Sequence, residues 1–145
     1  MSYIFRVNAR VDSNGTDADT AAVQAGLRAF NLDYIGPSGE HPLRFFLRDE
    51  AGAVVGGVLG HVKWQWAYVA TLWVAESHRG RGGGAALMDA VEQLARSEAC
   101  LGIHLDTFEY QARPFYEKLG FRVFGTLDGY PPGYRQFHLV KHLRT

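Results

Sequence analysis

The chain has 145 residues, 15 of them Lys or Arg and 15 Asp or Glu. That length predicts a single domain, 1–145, able to bury a real core, and the zero formal charge excludes a broad basic face for nucleic acid or an anionic membrane. With 47% hydrophobic and 21% charged residues, the composition is that of a folded globular protein and not a disordered one.

Tyr3 to Val11 alternates apolar and polar residues and reads as an opening strand. Thr16 and Asp17 can cap a helix that carries Ala21, Ala22, Val23, Leu27 and Phe30 to about Leu32. Gly36-Pro37-Ser38-Gly39 breaks the chain, and Leu43 to Arg48 follows as a strand. Asp49-Glu50-Ala51-Gly52 is a hairpin turn into a partner strand from Ala53 to about Val62, and a tight connection at Lys63–Gln65 leads to a strand from Trp66 to Val74. Ala85 to Ser97 then places Leu87, Val91, Leu94 and Ala95 on one helical face. Leu101 to Thr107 is a short strand, and about Gln111 to Leu119 a short helix closed by Gly120. Phe121 to Thr126 and Tyr134 to Val140 complete the sheet around the turn-rich Asp128–Gly133. The predicted fold is mixed α/β (α+β): a central, mostly antiparallel sheet of about seven strands flanked by three to four helices, with one βαβ unit in the middle.

Cys100 is the only cysteine, so an internal disulfide and a cysteine-built zinc site are both excluded. The start lacks the apolar run of a signal peptide, and no stretch nears the roughly 20 apolar residues of a membrane span. A cytoplasmic protein is expected. His138 and His142 are four apart but on a strand end, a poor metal pair, and no metal is expected.

Glycine is the compositional outlier, 17 residues against a usual share of about 7%. Four of them fall in Arg79-Gly80-Arg81-Gly82-Gly83-Gly84, between a strand and an amphipathic helix. Unpaired N–H groups and the dipole at a helix start favour an anion, and bare glycine backbone lets a phosphate approach. Arg79 and Arg81 add charged donors. No Lys-Ser or Lys-Thr pair follows, which excludes a nucleotide P-loop. Gly80, Gly82 and Ala85 fit the dinucleotide pattern G-x-G-x-x-A, so a dinucleotide-binding domain is an alternative.

The run Leu72-Trp73-Val74-Ala75-Glu76-Ser77-His78-Arg79-Gly80-Arg81-Gly82-Gly83-Gly84 resembles the acetyl-CoA signature of the GNAT N-acetyltransferases, with Arg79-x-x-Gly82-x-Gly84 as its core. Ala112-Arg113-Pro114-Phe115-Tyr116-Glu117-Lys118-Leu119-Gly120-Phe121 is similar to the family's second signature. Leu105–Phe108, the Gln111-Ala112 pair and Tyr130-Pro131-Pro132-Gly133 look like a bacterial subgroup of small acetyltransferases. The resemblance implies a GNAT-like fold and acetyl-CoA as co-substrate, its pyrophosphate on the amides of Arg79 to Gly84 and its pantetheine arm along Leu72, Trp73 and Val74. It implies Tyr116 as general acid for the departing thiolate and a contact to the arm from Ala112. Glu109 stands where the family often has an Asn that bonds that arm.

For the base, His104 and Asp106 on one short strand are candidates, with Glu76 on the loop as a further one. Asn31, Trp66, Tyr68, Phe108 and Tyr130 are candidates for the acceptor pocket, with Asp33, Trp64, Tyr110 and Tyr134 beside them, since aromatic walls suit an apolar or cationic acceptor. The expected activity is direct acetyl transfer from acetyl-CoA to a primary amine of a small molecule or peptide, by a monomer or a homodimer. A non-catalytic acyl-CoA-binding regulatory module is the alternative from another class.

Overall fold

A computed structural model describes residues 8–144. The chain parts into two compact units between Pro37 and Ser38. The opening strand expected over Tyr3–Val11 lies largely outside the described residues, and 8–11 carry no strand.

The first unit holds helix α1, Asp17–Ile35. Its start is fixed by a capping box: Thr16 Oγ1 accepts from the Asp19 N–H at 3.2 Å and the Asp19 carboxylate accepts from the Thr16 N–H at 2.8 Å. Those bonds hold the Asp19 carboxyl below its ordinary range. No α1 residue is buried.

The second unit is a six-stranded sheet: β1 His41–Arg48, β2 Val54–Lys63, β3 Trp66–Val74, β4 Gly102–Phe108, β5 Arg122–Asp128 and β6 Arg135–His142, in the spatial order β1-β2-β3-β4-β6-β5. Every neighbouring pair is antiparallel except β3 and β4. One parallel pair is all that a single crossover helix can supply, and that helix is α2, Gly83–Ser97. The sheet is therefore not doubly wound, which removes the dinucleotide-domain alternative and leaves the mixed α/β expectation standing.

Strand alternation separates the two faces of the sheet. Leu43, Val58, Val69, Ile103, Leu105 and Leu139 are buried with Leu87, Met88, Val91 and Ala95 of α2. The intervening β4 residues, His104, Asp106 and Phe108, point to the other face and are only half-buried. Helix α3, Arg113–Lys118, is short; Pro114 opens it and Gly120, at φ +96°, turns the chain out of it. The turn between β2 and β3 puts Trp64 and Gln65 at φ 48° and 60°, a left-handed pair more often built from Asn-Gly.

Candidate active site

β3 and β4 run side by side only from Trp66 opposite Gly102 to Val69 opposite Leu105. Past that point they part. β4 stays paired to β6 as far as Phe108, and β3 stays paired to β2 as far as Val74. Each strand thus turns an unpaired backbone edge toward the gap, a cleft of about 1090 Å³. The split coincides with a β-bulge on the β2 side, where Leu59 faces Thr71 and Gly60 faces Val69, leaving Ala70 as an extra residue. Such a bulge bends the strand that carries it. Gly60 is required there, because a Cβ would overlap the Tyr68 carbonyl oxygen.

The glycine run forms the end of the cleft, and its four glycines have two different duties. Gly80 and Gly82 sit at φ +76° and +83° with open space around them, a backbone conformation that costs an L side chain about 1–2 kcal/mol. Gly83 and Gly84 sit where neighbouring side chains pack close. A Cβ on Gly83 would lie 2.7 Å from Leu47 Cδ1, and one on Gly84 3.2 Å from Phe115 Cζ. The first pair shapes the loop; the second lets α2 begin hard against β1 and α3.

The N-cap of α2 is Gly82, with no side-chain cap and no acidic residue in the first turn. Gly82, Gly83, Gly84 and Ala85 all line the cleft, so the free N–H groups and the positive end of the helix dipole lie at its wall. Arg79 Nε donates to the Val74 carbonyl at 2.8 Å, which ties this guanidinium to the strand end beside the cleft. The helix start suits an anion, and the free edge of β3 suits a ligand that can hydrogen-bond to backbone.

Tyr116 of α3 also lines the cleft, 7% exposed. Burial pushes its phenol up to about 12, so it carries its proton at neutral pH. Deeper along β3 and β4, the Tyr68 hydroxyl donates to Asp106 Oδ2 at 2.8 Å, and Asp106 Oδ1 is hydrogen-bonded to Nδ1 of His138 on β6. Burial first, and then the Asp106 carboxylate, raises the Tyr68 phenol to about 12 as well. His104 lies outside the cleft lining, its ring 4.8 Å from that of Tyr68 and 5.8 Å from that of Trp66. Burial pulls its pKa below the ordinary 6.5, so it is neutral at pH 7.

The model of the acetyltransferase (GNAT) family matches residues 16–121, nearly three quarters of the chain. This chain belongs to the GNAT acetyltransferase family. Blasticidin-S acetyltransferase of Streptomyces morookaense is 42% identical over 95 residues, 65% of this chain and 70% of that one. An acetyltransferase from Bacillus cereus has the same fold with a TM-score of 0.86 at 29% identity, covering 92% of this chain and 97% of its own. A Bacillus anthracis protein assigned as a streptothricin acetyltransferase, solved with acetyl coenzyme A, shares the fold at a TM-score of 0.63 and 23% identity over 70% of this chain and 62% of that one.

In this GNAT chain the cleft gathers Leu72, Trp73, Val74, Arg79, Gly80, Gly82, Gly83, Gly84 and Ala112 of the expected co-substrate residues, Tyr116 and Asp106 of the catalytic ones, and Tyr68 and Phe108 of the acceptor ones. It leaves out Arg81, and Glu109, whose carboxylate is paired with Arg135 instead. Trp66 and Tyr130 stand behind the lining: Trp66 packs edge-on against His104 and His142, and the Tyr130 ring meets Phe108 at 5.6 Å. Tyr110, stacked on Phe108, and Tyr134, edge-on to Tyr110 at 5.0 Å, extend that group into one exposed aromatic cluster. Asn31 belongs to α1, in the other unit.

Sequence reasoning passes over Thr71 and Gln136, names Phe115 only within a signature, and weighs His138 only as a metal ligand. Ala70 and Thr71 reach the cleft because of the bulge, which no local pattern announces. His138 shows itself only through the β4–β6 register, which sets it opposite Asp106.

Proposed function

We propose that this GNAT acetyltransferase moves the acetyl group of acetyl-CoA directly onto a primary amine of a small molecule or peptide. The observation that carries the reading is the splayed β3–β4 pair opening onto the uncapped start of α2, with Tyr116 in the same cleft lining. The bound thioester supplies an activated acetyl group. The chain does the rest. The α2 amides and Arg79 hold the diphosphate, and the free edge of β3 from Ala70 to Val74 pairs with the arm's amides. Donors on that edge stabilise negative charge on the carbonyl oxygen as the amine adds. Tyr116 donates to the departing sulfur, and Asp106 faces the side from which the amine must lose its proton.

Phe108, Tyr110, Tyr130 and Tyr134 form an aromatic cluster that joins the cleft lining through Phe108, suited to an acceptor with a planar or cationic group. The similarity to blasticidin-S acetyltransferase puts blasticidin S first on the amine panel.

Two measurements test the reading. Acetyl-CoA and CoA should raise the thermal midpoint while NAD does not, and an amine panel scored by free thiol should return at least one acceptor. Absence of stabilisation by acetyl-CoA overturns it. Stabilisation with no turnover on any amine would favour a non-catalytic acyl-CoA-binding module instead.

A further inference from the structure

Asp106 is not a free carboxylate. One oxygen accepts from the Tyr68 hydroxyl at 2.8 Å and the other from His138 Nδ1. Tyr68 and Asp106 line the cleft, and His138 stands one strand behind them on β6. An imidazole that donates through Nδ1 to a carboxylate keeps its lone pair on Nε2, the ring edge facing away from Asp106. The side chain is 36% exposed, so the ring meets solvent. The Phe124 ring of β5 lies 6.0 Å away, and Gly125, opposite His138 in register, leaves the space a side chain would take. The titratable groups around the imidazole are thus Asp106 and, through Asp106, Tyr68, with His104 two residues along β4 on the same face. Unlike a catalytic triad, in which the imidazole stands between the acid and the reacting group, the acid here lines the cleft and the imidazole stands behind it on the next strand.

We propose that His138 is a positioning residue and proton store for the reaction: Asp106 draws the acceptor's ammonium to the cleft wall, and His138 takes the proton that the nitrogen gives up. This rests on the amine-acetylation reading above. The step balances. Once one ammonium proton has left, the nitrogen lone pair forms the C–N bond, the C–S pair leaves with sulfur, Tyr116 passes its proton to sulfur, and the second nitrogen proton restores Tyr116. The surplus ammonium proton passes through water to His138 Nε2, taking the Asp106–His138 pair from a charge of −1 to zero. The imidazolium then returns the proton to solvent.

The test uses His138→Gln, which can still donate to Asp106 but cannot hold a proton, and His138→Ala, with the amine returned by the panel as acceptor. At pH 7 the Gln variant should lose about 10-fold or more in kcat while its KM for acetyl-CoA stays within twofold. The loss should shrink toward pH 9, where more of an amine with pKa about 10.4 is already neutral. Added imidazole should restore the Ala variant. The proposal is overturned if the Gln variant keeps wild-type kcat at pH 7, or if its loss is equal at pH 7 and 9 and imidazole rescues nothing. Should the Gln variant fail to fold, His138→Asn and the imidazole arm decide the matter. Wild-type protein inert toward every amine would instead overturn the acetylation reading, and this inference with it.

Discussion

Tyr116→Phe removes one hydroxyl from the cleft wall and leaves the packed ring. The structure sets the size of the loss. The phenol sits at about 12, and an ordinary thiol at about 8.5. Handing the proton fully to a thiolate of that basicity would run about 3.5 units uphill, roughly 5 kcal/mol at 1.36 kcal/mol per unit. In the proposed mechanism Tyr116 would therefore serve chiefly as a hydrogen-bond donor to sulfur while charge builds there, with full transfer completed only as the thiol leaves. A hydrogen bond to a charged partner is worth about 1.5–3 kcal/mol, which converts to about 10- to 150-fold in kcat. The assay is steady-state release of free CoA at pH 7, with KM for acetyl-CoA and the thermal midpoint recorded alongside. KM and midpoint should move little, since the ring and its contacts with Phe115 and Phe121 remain. A kcat within twofold of wild type refutes the donor role. A loss beyond about 1000-fold would show that a hydrogen bond alone is too weak an account.

The glycines should separate by duty. Gly82→Ala meets no atom but holds an unfavourable φ, so it should cost about 1–2 kcal/mol of stability or reappear as weaker acetyl-CoA binding by calorimetry. Gly60→Ala collides with backbone that cannot swing aside and should cost about 3 kcal/mol or more in urea unfolding. His41 carries a pH signature. Its bonds to the Gly39 carbonyl and Glu98 raise its pKa above 6.5, so its stabilisation is complete below that value and fades as pH rises through the raised one. His41→Gln should flatten that part of the thermal-midpoint profile, and an unchanged slope would disprove the linkage. Glu92 runs the other way. Lys141, whose Nζ bonds Glu92 at 2.5 Å and the Leu119 carbonyl at 2.8 Å, holds its carboxyl below the ordinary 4.5, so this stabilisation is present above 4.5 and lost on acidification through the lowered value. Lys141→Met should lower the midpoint at pH 7 and narrow the gap to wild type at acid pH.

What the sequence made legible and what it hid follow from how far apart the interacting residues lie. Strand β3 and the α2 stripe are local periodicities, and the sequence shows them within a residue or two; the glycine loop is equally local, and in three dimensions it leads into the start of α2 at the cleft lining. Its internal division of labour does not appear in the sequence, because Leu47 and Phe115, which pack close to Gly83 and Gly84, come from β1 and α3. Gly60 and Gly56 carry the same lesson. Read along the chain, glycines in β2 only weaken a strand; read across the sheet, each admits a β3 carbonyl that a Cβ would strike. Of the two, Gly60 sits at the bulge beyond which β3 and β4 separate. The cleft thus depends on a residue that no functional motif contains. The same distance effect separates the two candidate bases. His104 and Asp106 share a strand face and looked equivalent, yet aromatic neighbours enclose the first while a register partner 32 residues away converts the second into half of an acid–imidazole pair. Side chains on one strand face differ in chemistry according to what the neighbouring strands place beside them.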